Sequence, residues 1–143
     1  MPEIVGRIYK VQQAAGQTIA ELEAQKSGIT IERLKRKDQF IDVSPEITLQ
    51  TDDVVLIVGR RASVVSIAEN IGSELQSSQG MEMVMDTTDV ILRNSKYINR
   101  TLGDVKANTP DYLKHGIYVL GIKRQDETQI LNDETMLRQG DVV

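Results

Sequence analysis

The sequence predicts an α+β fold: two tandem copies of a small strand–helix–hairpin–strand–helix domain, the second copy C-terminally truncated. Three observations predict it. First, residues 28–55 (GITIERLKRKDQFIDVSPEITLQTDDVV) and residues 116–143 (GIYVLGIKRQDETQILNDETMLRQGDVV) align without a gap over 28 residues, and ten positions are identical. These are Gly28/Gly116, Ile29/Ile117, Lys35/Lys123, Arg36/Arg124, Asp38/Asp126, Glu46/Glu134, Leu49/Leu137, Asp53/Asp141, Val54/Val142 and Val55/Val143. Second, the same helix-start signal precedes each repeat, Thr18-Ile19-Ala20-Glu21 and Thr101-Leu102-Gly103-Asp104, with Thr as N-cap and an acid three residues on. Third, a strand-type segment rich in β-branched residues precedes each helix start. A domain-sized unit occurring twice is a tandem duplication rather than a solenoid. The organisation is a first domain at 1–72, a linker at 73–87 and a second domain at 88–143.

The elements follow in order. Residues 4–11 (IVGRIYKV) read as a strand. After the break at Ala14-Ala15-Gly16, residues 18–25 read as a short helix closed by Gly28. A strand from Ile29 toward Arg36, a turn at Lys37-Asp38 and a strand over 40–43 make a hairpin. Pro45 breaks the chain because it lacks a ladder donor. Residues 54–58 form an apolar run that suits a buried strand. Val64, Ile67, Ala68 and Ile71 have i, i+3, i+4, i+7 spacing, the apolar stripe of a helix, and Gly72 stands at its C′ position.

Residues 73–80 (SELQSSQG) are small and polar and read as linker. In the second copy, residues 88–93 repeat the opening strand. Counting back from Thr18 and Thr101 pairs Ile8 with Ile91 and Lys10 with Arg93. Thr18 to Gly28 is shorter than Thr101 to Gly116, so copy two carries an insertion within 107–114, tolerated at a surface. Val143 falls where copy one continues through Leu56-Ile57-Val58. Both ends therefore read as cut, and the chain reads as a piece of a longer polypeptide.

Composition excludes several functions. The chain has 17 basic and 21 acidic residues, net −4, which disfavours a nucleic-acid or anionic-membrane binder. Cysteine is absent, so disulfides, thiolate metal sites and Cys nucleophiles are excluded. His115 is the single histidine, and no nucleophile–base spacing is readable, so no catalytic residue, metal site or cofactor is assigned. Neither a dinucleotide fingerprint nor a phosphate loop occurs, and one Phe with no Trp leaves no stacking platform for single strands.

Two motifs repeat. Leu49-x-x-x-Asp53-Val54-Val55 and its counterpart Leu137-x-x-x-Asp141-Val142-Val143 place an Asp before a buried strand. There it bonds amides of its own turn. Lys35-Arg36 and Lys123-Arg124 end matching strands. The plain reading is a solvated strand end beside a turn. The functional reading is an anion-binding site in each copy, made by Arg36, Arg124, Lys35 and Lys123. As exposed charges, Arg36 and Arg124 are expected to tolerate alanine with folding nearly intact.

The order of these elements resembles the TrkA-C domain, also called the C-terminal domain of RCK (regulator of potassium conductance) proteins. Gly16, Thr18, Ile19, Glu21, Leu22, Gly28, Arg36, Pro45, Leu49, Asp53 and Gly59 carry the resemblance. So do Thr101, Leu102, Asp104, Val105, Gly116, Arg124, Leu137, Gly140 and Asp141. Copy two departs at Asn99, where copy one has Gly16, and at Asp133, where copy one has Pro45; both departures bear on local turn shape. Two such domains in tandem, without a nucleotide-binding domain before them, resemble the central cytoplasmic region of aspartate–alanine exchanger family transporters. The resemblance implies a non-enzymatic regulatory and dimerisation module of a multi-pass membrane transporter, on the cytoplasmic side of the bacterial inner membrane. It implies covalent linkage to transmembrane domains and a homodimer or a pseudo-dimer of the two copies. It also implies a small anionic ligand such as a nucleotide, because related domains in several potassium systems bind cyclic di-AMP. The alternative is a structural spacer that binds nothing.

Overall fold

The computed structural model describes residues 3–110 and 115–143. The described residues divide into two compact units, 3–85 and 86–143. An α+β unit thus occurs twice, with the elements in the same order.

The first unit is a five-stranded antiparallel sheet. Its strands are β1 (Ile4–Val11), β2 (Ile29–Arg36), β3 (Gln39–Ile41), β4 (Val54–Arg60) and β5 (Gly72–Leu75), in the order β3-β2-β4-β1-β5. Helices α1 (Ile19–Ala24) and α2 (Arg61–Ile67) complete it. Alternation sends Tyr9, Val11, Ile31, Leu34, Val55 and Ile57 to one face. There they pack with Ile19 and Leu22 of α1 and Val64 and Ile67 of α2. β4 reads as continuously apolar because its other face is buried too, through Leu56 and Val58.

Local chemistry sets the turns. Thr18 caps α1, its Oγ1 accepting from the Glu21 amide at 3.1 Å, and Thr101 does the same for Asp104 at 3.1 Å. Lys37 and Asp38 both have positive φ, and Arg36 pairs with Gln39. This is the two-residue hairpin turn whose twist matches that of the strands. Gln125 and Asp126 repeat it in the second unit between β6 (Lys123–Arg124) and β7 (Glu127–Thr128).

The structure corrects four sequence expectations. Residues 73–75, expected in the linker, extend β5 and pair with β1, Lys10 opposite Ser73 and Val11 opposite Gly72. Gly72 is not a C′ glycine: α2 gives way to a 3₁₀ turn, Ala68–Asn70, and Gly72 opens β5. A Cβ at Gly72 would lie 1.9 Å from the Lys10 carbonyl oxygen, so close strand approach requires the glycine. The third strand covers Gln39–Ile41 rather than 40–43, because the tight turn brings Gln39 into register with Arg36. Finally, copy two's opening strand aligns two residues away from the count made at Thr101. Val90 exchanges both backbone bonds with Val143, and Leu92 donates to Asp141, as Val11 donates to Asp53. Lys10 therefore corresponds to Ile91 and Val11 to Leu92, and the connection to Thr101 is two residues longer than its counterpart. An even slip keeps every side chain on its own face.

The second unit has α3 (Leu102–Asn108) where the first has α1. Its core is Leu92, Ile122 and Leu137, with Tyr97, Ile98, Val105, Val119, Leu131 and Val143 packed against it. Asn99 takes φ +63 where Gly16 has φ +92. The Asn99 amide donates to the Leu137 carbonyl at 2.8 Å, as Gly16 does to Leu49 at 2.8 Å. The turn shape survives the exchange because Asn tolerates left-handed backbone. At the other departure, Gly103 donates to the Asp133 carbonyl as Ala20 does to Pro45. The insertion expected within 107–114 falls partly on residues 111–114, outside the described residues.

Candidate functional site

The duplicated polar residues converge on one constellation per unit. Asp53 immediately precedes β4 and is buried. Its Oδ2 accepts the Gln50 amide at 2.8 Å, closing its own turn. Arg36, at the end of the neighbouring β2, lays its guanidinium edge on the same carboxylate. Nε donates to Oδ1 at 2.9 Å, and Nη2 donates to Oδ2 at 2.9 Å and to the Thr48 carbonyl at 3.1 Å. In the second unit Arg124 Nε and Nη2 meet Asp141 at 2.9 and 3.0 Å. Nη2 also donates to the Met136 carbonyl at 2.9 Å, and the Arg138 amide donates to Asp141 Oδ2 at 2.9 Å. The two clamps match bond for bond.

The electrostatics follow. The hydrogen bond to Asp53 raises the Arg36 pKa, and the one to Asp141 raises that of Arg124. The Asp141 carboxyl is held below its ordinary value, first by Arg124, against an opposing push from burial. A bidentate guanidinium–carboxylate pair over a buried acid is a geometric fastener. It ties the strand that ends at Arg36 or Arg124 to the turn before Val54 or before its counterpart Val142.

Of the residues expected to bind an anion, Arg36 and Arg124 each sit on a buried Asp. Lys35 reaches across the sheet to the Gln79 carbonyl at 3.1 Å and the Ser78 hydroxyl at 3.3 Å. Lys123 is exposed on β6. The plain reading, a solvated strand end, also needs correction. Arg36 is a partner of the core-lining Asp53, so alanine there strips a buried carboxylate of its cation. The pairing was legible in principle: Arg and Asp recur at the same spacing in both repeats, at the ends of strands that must neighbour each other. His115 is exposed. Among the described residues no group of three His, Asp or Glu could hold a metal ion, and no helix is long and apolar enough to cross a membrane.

The strand–helix–hairpin unit with this clamp is present twice. The TrkA-C domain family matches residues 11–72 and again 88–143, and the chain belongs to that family. Its relatives include proteins named as uncharacterized transporters. One in Zymomonas mobilis is 31% identical over 100% of this chain and 25% of that protein. One in Shewanella oneidensis is 29% identical over 96% of the chain and 25% of the relative. One in Bradyrhizobium diazoefficiens is 27% identical over 96% and 25%. The chain thus spans about a quarter of the length of these relatives. No solved structure matches it.

Proposed function

We propose that this chain is the cytoplasmic regulatory and dimerisation module of a multi-pass membrane transporter, an amino-acid exchanger of aspartate–alanine type. One observation carries the reading. Two TrkA-C units in tandem make up this chain, which aligns with a quarter of proteins named as transporters. The remaining three quarters of such a protein is where transport would occur. The tandem units act through a preference: a ligand or contact that favours one arrangement of the pair biases the membrane part by that preference and no more.

A small anionic ligand, a nucleotide above all, is the regulator this reading proposes. Lys35 and Lys123 immediately precede the clamp arginines Arg36 and Arg124 in the chain and supply the further positive charge this reading needs. A second reading, a spacer that pairs protomers and binds nothing, draws support from a specific observation. Both guanidinium groups already hold a buried carboxylate, so an anion there competes with Asp53 or Asp141.

A thermal-shift screen against cyclic di-AMP, cyclic di-GMP, ATP, NADH, aspartate and alanine separates the two. A ligand at 100 times its Kd adds about 2.7 kcal/mol, several degrees for a domain of this size. The regulatory reading expects a shift that weakens in Lys35→Ala or Lys123→Ala, variants that leave the clamps alone. A chain that dimerises in sedimentation yet ignores every compound sinks the ligand and leaves the spacer.

A further inference from the structure

Beyond β5 the chain does not leave the first sheet. Residues 76–83 fold back across the face opposite α1 and α2, where outward-pointing side chains of the strands hold them. Arg33 Nη1 donates to the Gly80 carbonyl at 2.9 Å, and Lys35 Nζ to Gln79 and Ser78. Met81 is fully buried. Met83 lies on Gly6, where a Cβ would meet the Met83 Cβ at 2.7 Å. The Phe40 ring covers Gly80, which has φ +78 and whose notional Cβ would fall 2.5 Å from Phe40 Cζ. Under the segment runs a cleft of about 220 Å³ floored by Gly6, Ile8 and Leu56.

Two features distinguish this segment from a sixth strand. Among the described residues, no backbone–backbone hydrogen bond joins residues 76–83 to the sheet. Its fasteners are the buried Met81, Met83 against Gly6, a ring over a glycine and three bonds from Arg33 and Lys35. Apart from Lys35, which Lys123 matches, its cradle also lies outside the duplicated pattern. Copy two has Gly121 for Arg33 and Thr128 for Phe40, and Asp89 corresponds to Ile8. A segment held by side chains alone opens at lower free energy than a paired strand.

We propose that residues 76–83 are a releasable strap that sets how much free chain joins the two units. With the strap down, the free chain between Met83 and Val90 is residues 84–89, a reach of roughly 20 Å at full extension. With it up, residues 76–89 are free and reach roughly 48 Å. Release more than doubles the tether and lowers the effective concentration of one unit about the other. The strap acts as a regulatory element whether or not a small ligand binds the clamps.

Hydrogen exchange on the 143-residue chain tests it. Amides 78–83 should exchange at least tenfold faster than those of β1 and β4. Gly80→Ala, which puts a Cβ into Phe40, should speed strap exchange a further tenfold while β1 and β4 stay unchanged. The double variant Arg33→Ala, Lys35→Ala should act in the same direction. Strap amides that exchange at the sheet's own rate, or that ignore both changes, overturn the proposal. The absence of native cysteine allows spin labels at Glu69→Cys and Lys96→Cys alone. Their distance distribution should broaden with Gly80→Ala, and an unchanged distribution overturns the tether role.

Discussion

Arg36 and Asp53 illustrate how a surface charge becomes structural. The Asp53 carboxylate is buried at the foot of β4 and keeps three donors, two from one guanidinium and one from its own turn. Removing the cation leaves a buried acceptor short of partners, whose cost exceeds what an exposed ion pair is worth. Arg36→Ala should therefore cost roughly 1–3 kcal/mol, and lower the melting temperature by several degrees. Arg36→Lys should recover only part of this, since an ammonium cannot fork onto both oxygens. A melting temperature unchanged by alanine would return Arg36 to the status of a solvated strand end. In the second unit the same clamp makes a pH prediction. The Asp141 pKa is depressed below its ordinary 3.8, so the folded state binds its proton less readily than the unfolded chain. That contribution is complete above pH 3.8 and is lost as the pH falls through the depressed folded value. Asp141→Asn should flatten the acid limb of the second unit's stability curve, and a limb that keeps its slope would exclude Asp141 as its source.

At the level of elements, the strength of the backbone signal decided what the sequence revealed. The capped helices at Thr18 and Thr101 and the Lys37-Asp38 turn were legible because each rests on a local rule. β5 was not. Its residues Gly72-Ser73-Glu74-Leu75 include no β-branched or aromatic residue, and they extend because β1 offers a free edge. Arg7 and Glu74 then close a bond across the pair at 3.0 Å. The strap was hidden for the same reason, since a Ser- and Gln-rich stretch has the composition of a linker wherever it lies. The clamp was hidden by distance along the chain, although duplication displayed both its halves. Gly72 tests the account of β5. Alanine there meets the Lys10 carbonyl and should cost about 1–3 kcal/mol of strain. Hydrogen exchange should show β5 loosened from β1 while β2 and β4 stay protected. An unaffected β5 would mean that the glycine serves only the end of the preceding helical turn.

Across the whole molecule, one design occurs twice with unequal means. Among the described residues, the first unit's core cluster holds fourteen buried apolar residues and the second's holds three. The contrast is sharpest at matched positions. Ile29 is 4% exposed and its counterpart Ile117 is 68%; Tyr9 is 2% exposed and Val90, which takes its place opposite Val143, is 55%. In the first unit these positions lie in the core that Val64, Ile67 and Ile71 complete. Since small domains are marginal even with a full core, the two units should differ in stability by far more than their shared pattern suggests. The chain should melt in two steps, the first belonging to residues 86–143 and the second to residues 1–85. A fragment of residues 1–85, which keeps all five strands and the strap, should retain the upper transition. A fragment of residues 86–143 should exchange its amides within seconds to minutes at neutral pH. One cooperative transition reported equally by probes in both units would show that they fold as one body, and would make the second unit's stability a loan from the first.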